Sequence, residues 1–100
     1  MRYDKLVRDK IPEIMRANNG NPIVHIASRE ELKIKLADKL YEEAKEFLIS
    51  WNENEFADLS EVIRALSEVI GSSPEQVEFE RQKKAQERGG FFEGIVLDEA

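Results

Sequence analysis

Between residues 29 and 70 apolar side chains recur at three- and four-residue spacing with one interruption, a pattern that selects two consecutive amphipathic helices. Leu32, Leu36, Leu40, Ala44 and Phe47 share a face in the first stretch. Phe56, Leu59, Val62, Ile63, Leu66, Val69 and Ile70 share one in the second. Ser28 with Glu31, and Asn52 with Glu55, have capping-box spacing, in which a side-chain oxygen accepts from a free amide that opens a helix. The spacing therefore predicts one helix from about Arg29 to Ile49 and another from Asn52 until Gly71 stops it. Ser73-Pro74 starts a third long helix, ended by Gly89-Gly90, but between Glu75 and Arg88 only Val77, Phe79 and Ala85 are apolar. That helix should pack weakly. A short helix after Ile11-Pro12 stops at Asn18-Asn19-Gly20.

Pro22 to Ala27 and Phe91 to Leu97 read as extended segments, with residues 23–26 expected to pair with the C-terminal one. The fold class is thus all-α: a single domain over residues 1–100, a helical bundle with a small two-stranded β embellishment. Three long helices and one short one make a thin bundle, so the core should be completed by a homo-oligomer, a dimer or tetramer.

Composition narrows the chemistry. The longest apolar runs are three residues, far short of the roughly 20 of a membrane span, so no membrane role is expected. The opening residues MRYDKLVRDK alternate charge with single apolar residues and show no secretory signal, which points to the cytoplasm. The absence of cysteine removes disulfides and zinc–thiolate sites, and the single His25 cannot supply the paired Glu-x-x-His motifs of di-iron bundles. A net charge of −6 disfavours non-specific nucleic-acid binding. Hard oxygen-liganded cations, Mg²⁺ or Mn²⁺, suit this carboxylate-rich chain better.

Four acid pairs stand at i, i+3 (Glu43/Glu46, Glu55/Asp58, Asp58/Glu61, Glu75/Glu78), about the number that chance supplies at this acid content. Their phase is more informative. With Leu36 at zero on a helical wheel, the first apolar stripe spans about −40° to +80°; Glu43 falls near −20°, Glu46 near −80° on its margin, and Glu42 near −120°, facing away. With Leu59 at zero, Glu55 falls near −40° inside the second stripe, Asp58 near −100° at its edge, and Glu61 near −160° outside. Two helices joined by a short turn lie antiparallel, so the edges can gather four carboxylates whose repulsion a divalent cation would relieve. Capping, helix-dipole and lysine-pairing roles explain the same residues without a metal. Glu75 and Glu78 read as first-turn acids. His25 reads as a packed or surface side chain, Trp51 and Phe91-Phe92 as core finishers, and the basic residues of 5–10 and 81–88 as solvated faces bordering loops where ligand contacts concentrate.

Three blocks carry a resemblance: Lys5-Leu6-Val7-Arg8-Asp9-Lys10-Ile11-Pro12; Glu42-Glu43-Ala44-Lys45-Glu46 followed by Glu55-Phe56-Ala57-Asp58-Leu59-Ser60-Glu61-Val62-Ile63; and Lys84-Ala85-Gln86-Glu87-Arg88-Gly89-Gly90-Phe91. Over nearly its whole length the chain resembles the MazG-like all-α nucleoside triphosphate pyrophosphohydrolases, in particular their small phosphoribosyl-ATP pyrophosphohydrolase-like members. The middle block matches that superfamily's E-x-x-E and E-x-x-D signature. The resemblance implies Mg²⁺-dependent hydrolysis of a nucleoside triphosphate or related nucleotide between the α and β phosphates, giving the monophosphate and pyrophosphate. It implies Glu43, Glu46, Glu55 and Asp58 as metal ligands. The chain departs from the family pattern twice. Only eight residues separate Glu46 from Glu55, and Glu61-Val62-Ile63 stands where histidine-pathway enzymes tend to carry a histidine. The expectation is therefore a house-cleaning nucleotide pyrophosphatase rather than a histidine-biosynthetic enzyme.

Within that reading Glu46, at the stripe's edge, is the candidate general base, with Glu61 the alternative if its helix rotates. Lys84 and Arg88, together with Lys5 and Arg8, are candidates to hold phosphate oxygens. No side chain is tied by pattern to a base edge. A reading from another class keeps the bundle as a nucleotide-binding or protein-interaction module without turnover.

Overall fold

A computed structural model describes residues 3–100; Met1 and Arg2, part of the charged opening run, lie outside the described residues. Four helices follow in order: α1 (Ile11–Ala17), α2 (Arg29–Ser50), α3 (Glu53–Val69) and α4 (Pro74–Arg88). Each long helix begins at the predicted cap. Ser28 accepts from the amide of Glu31, Asn52 from that of Glu55 and Ser73 from that of Gln76. The first capping box is half made, because the Glu31 carboxylate turns to His25 Nε2 at 3.0 Å.

Two residues join α2 to α3. Trp51 takes the left-handed conformation (φ 55°) and its amide donates to Phe47 O at 2.7 Å, closing α2. Asn52 then opens α3, so the helices turn back on each other at once. Phe47 packs on Trp51 and Phe56, with ring centroids 5.1 and 5.3 Å apart, at this end of the hairpin. At the other end Arg29 Nη2 donates to Val69 O at 3.0 Å and satisfies a carbonyl of the last turn of α3. The pair is therefore antiparallel, and it holds the interior of the molecule.

That interior is small. Leu36 is the single apolar residue fully buried among those described, and Ser67, whose hydroxyl donates to Arg64 O, is the polar one. The radius of gyration is 17.6 Å, against about 13 Å for a compact 100-residue domain. Helix α4 touches α3 alone among the helices, with nearly every side chain exposed, as its apolar-poor sequence predicts.

The expected β embellishment is not formed: no strand is present among the described residues, and residues 23–26 and 91–97 do not pair. Ile23 and Ile26 stand almost wholly in solvent, and the Gly94 amide donates to Phe91 O, folding the C-terminal segment into a turn. Strand propensity expresses packing on a sheet face, and two short isolated segments have none to join.

Candidate functional site

The acid cluster is built from the hairpin's facing edges. Glu43 on the sixth turn or so of α2 lies inside its apolar stripe; Glu55 and Asp58 sit in the first turns of α3, which the two-residue link folds back against it. One carboxylate oxygen from each of Glu43, Glu55 and Asp58 lies within 4.8 Å of the other two. Glu43 Oε2 and Glu55 Oε2 are buried without any hydrogen-bond partner. An unpartnered buried carboxylate oxygen is costly, and three hard oxygen donors at this spacing suit a divalent cation. The residues therefore fit a metal on donor chemistry as well as on position.

Electrostatics agree with crowding. The pKa of Glu43 is raised above the ordinary 4.5, first by burial, then by the charges of Glu46 and Asp58, with Lys39 pulling it the other way. Lys39 is a distant compensator: its Nζ stands 3.9 Å from Glu43 Oε1 and 3.8 Å from Glu42 Oε2. Glu46 is exposed on the margin of the stripe, close enough to act on Glu43 by its charge, yet outside the three-acid group. Glu61 is exposed too.

The N-terminal segment lies along both helices. Lys35 Nζ donates to the carbonyl of Asp4, Lys5 Nζ stands 3.5 Å from Glu42 Oε1, and Arg8 Nη2 donates to Asp58 Oδ1 at 2.8 Å. Of the four basic residues picked out by sequence, Arg8 thus touches the cluster and Lys5 lies on the adjoining face of α2. Lys84 and Arg88 are exposed on α4 and make no hydrogen bond or ion pair among the described residues. Sequence reasoning ranked these pairs the other way. It also passed over the cavity of about 310 Å³ beside the hairpin turn, lined by Phe47, Trp51, Asn52, Glu53, Phe56 and Ala57. The signal for it was available, since a two-residue link flanked by three aromatics forces those rings together.

No helix is long and apolar enough to cross a membrane. Compared with protein-family models, with curated proteins and with solved structures, the chain has no match.

Proposed function

We propose that this domain is a Mg²⁺-dependent pyrophosphohydrolase that cleaves a nucleoside triphosphate or related nucleotide between its α and β phosphates, releasing the monophosphate and pyrophosphate. The observation that carries the reading is the meeting of Glu43, Glu55 and Asp58 oxygens within 4.8 Å, two of these acids holding a buried, unpartnered oxygen. The resemblance of the Glu42–Glu46 and Glu55–Ile63 blocks to the MazG-like signature supplies the reaction. Bound by these acids, Mg²⁺ or Mn²⁺ would neutralise phosphate charge and make a water more acidic.

The chain's own groups have separable tasks. Glu43 and Glu55 present oxygens from a poorly solvated wall, and Asp58 completes the set from the rim. Glu46, solvated and next to Glu43, takes the proton from the attacking water. Arg8, already at the edge of the cluster, exchanges part of its contact with Asp58 for a phosphate oxygen, which a guanidinium binds through two parallel N–H donors. Lys5 adds positive charge beside it.

The test is pyrophosphate release from a panel of nucleoside triphosphates with Mg²⁺. Release that stops on adding EDTA supports the enzyme. Nucleotide binding with no release supports the non-catalytic module, which one observation favours: Arg8 already compensates Asp58.

A further inference from the structure

The surface of the single chain is too large for its mass. It exposes 9220 Å², whereas a folded monomer of 11.6 kDa exposes about 5,800 Å² by the usual scaling of area with mass. The excess exceeds the roughly 1,000–2,500 Å² per partner that an obligate dimer buries.

Part of that surface is ordered in a specific way. On α2 the residues Ile34, Ala37, Tyr41, Ala44 and Leu48 follow one another at spacings of 3, 4, 3 and 4, the a/d repeat of a coiled-coil seam. With Leu36 at zero they lie between about +80° and +160°, beside and beyond the stripe that meets α3. Ile34, Tyr41 and Leu48 are 64%, 79% and 57% exposed. Small alanines at the d positions leave room for a second helix to come close.

Charge fixes the occupant and its direction. Asp38 and Lys45 take the e positions along the open side of this seam, and neither makes an ion pair among the described residues. The g positions, Leu40 and Phe47, belong to the chain's own hairpin. In an antiparallel pair related by a two-fold axis near Tyr41, Ile34 of one copy comes opposite Leu48 of the other. The e positions then face each other, so Asp38 meets Lys45 of the partner subunit, twice over. In a parallel pair the e positions would face g positions instead, and no such match would arise for Lys45.

We propose that a second copy of this chain docks on the outer face of α2, antiparallel, through the Ile34–Tyr41–Leu48 seam with Asp38 against Lys45 of the partner subunit. The seam lies on the far side of α2 from Glu43, so assembly and the acid cluster can be perturbed separately.

Sedimentation velocity on the full chain at tens of micromolar tests the pairing, with circular dichroism to follow helicity. The wild type should sediment as two or more chains, and Y41E should lower that number while keeping most of its helicity. D38K and K45D should each weaken association at low salt by tenfold or more in Kd, and D38K/K45D should restore it. A monomeric wild type, its seam covered by its own C-terminal segment or by nothing, overturns the proposal. Assembly unchanged in Y41E, or no rescue in the double charge reversal, overturns the face or the antiparallel direction respectively.

Discussion

Arg8 Nη2 donates to Asp58 Oδ1 at 2.8 Å, so the charged N-terminal segment ends with a guanidinium on the rim of the three-acid group formed by α2 and α3. The contact joins residues fifty positions apart and brings an anion-binding side chain to the acids that would hold a cation. Phosphoryl-transfer sites need both charges at one place, since the reacting phosphate is drawn by the cations and positioned by the donors.

Removing this guanidinium separates its two roles. Both partners are partly solvated, so the ion pair stabilises the fold by no more than about 1 kcal/mol. Arg8→Gln should therefore leave Tm within a few degrees. Its loss also removes a positive charge next to the acids, so the gain in Tm on adding Mg²⁺ should hold or grow, while kcat/KM for the nucleotide should fall at least tenfold. A fall in Mg²⁺ affinity in R8Q would show that Arg8 organises Asp58 rather than holds phosphate.

A cation that binds only the folded cluster stabilises it by RT ln(1 + [L]/Kd), in addition to relieving repulsion among Glu43, Glu55 and Asp58. Millimolar Mg²⁺ or Mn²⁺ should raise Tm, and the increase should disappear in E43Q/E55Q, whose unpartnered oxygens are replaced by amides. Zn²⁺ should show no preference over Mg²⁺, given no cysteine and a single histidine engaged with Glu31. Differential scanning fluorimetry across a metal series reads all three outcomes; equal increases in wild type and E43Q/E55Q would locate the cation elsewhere.

The raised pKa of Glu43 gives the metal-free protein a pH dependence with a definite sign. Its folded pKa lies above the unfolded value near 4.5, so the folded state holds the proton more tightly. The stabilisation from this proton is fully present below 4.5 and is lost as pH rises through the folded pKa. Wild type should therefore lose stability relative to E43Q over that interval. Lys39→Met should extend the interval upward, because Lys39 lowers the Glu43 pKa. Chemical denaturation of the three proteins from pH 4 to 8 in EDTA measures it, and adding Mg²⁺ should reverse the slope, since the cation takes the ionised carboxylate.

Helix phase and helix ends were legible because both are local. Ser28, Asn52 and Ser73 each cap the helix that their spacing assigns to them, and the wheel that put Glu43 inside the stripe and Glu42 outside agrees with their side-chain exposures of 12% and 38%. Contacts decided by the path of irregular chain were not legible. Nothing in the order of residues says that Arg8 rather than Arg88 arrives at Asp58, because both lie beside loops whose course depends on tertiary packing. The two extended segments show the same limit from the other side: Ile23 to Ile26 carry strand-forming residues, but no sheet face exists for them.

Neighbouring acids on α2 provide the sharpest contrast. Glu42 is held outward by Lys5 and Lys39, whereas Glu43 points into the hairpin with one oxygen buried and unpaired. Glu43→Gln and Asp58→Asn remove charge from the cluster at constant volume, so each should lose most activity while metal-free stability stays level or rises, like charges being fewer. Glu42→Gln removes the same charge from the other face and disconnects two exposed lysines, and Glu78→Gln breaks a pair with Arg81 on α4. Both should keep turnover within a few-fold. Initial rates at saturating Mg²⁺, with Tm measured on the same samples, separate the outcomes. If Glu42→Gln were as damaging as Glu43→Gln, the three-acid group would not be the reacting centre, and the face of α2 carrying Lys5, Lys39 and Glu42 would take its place.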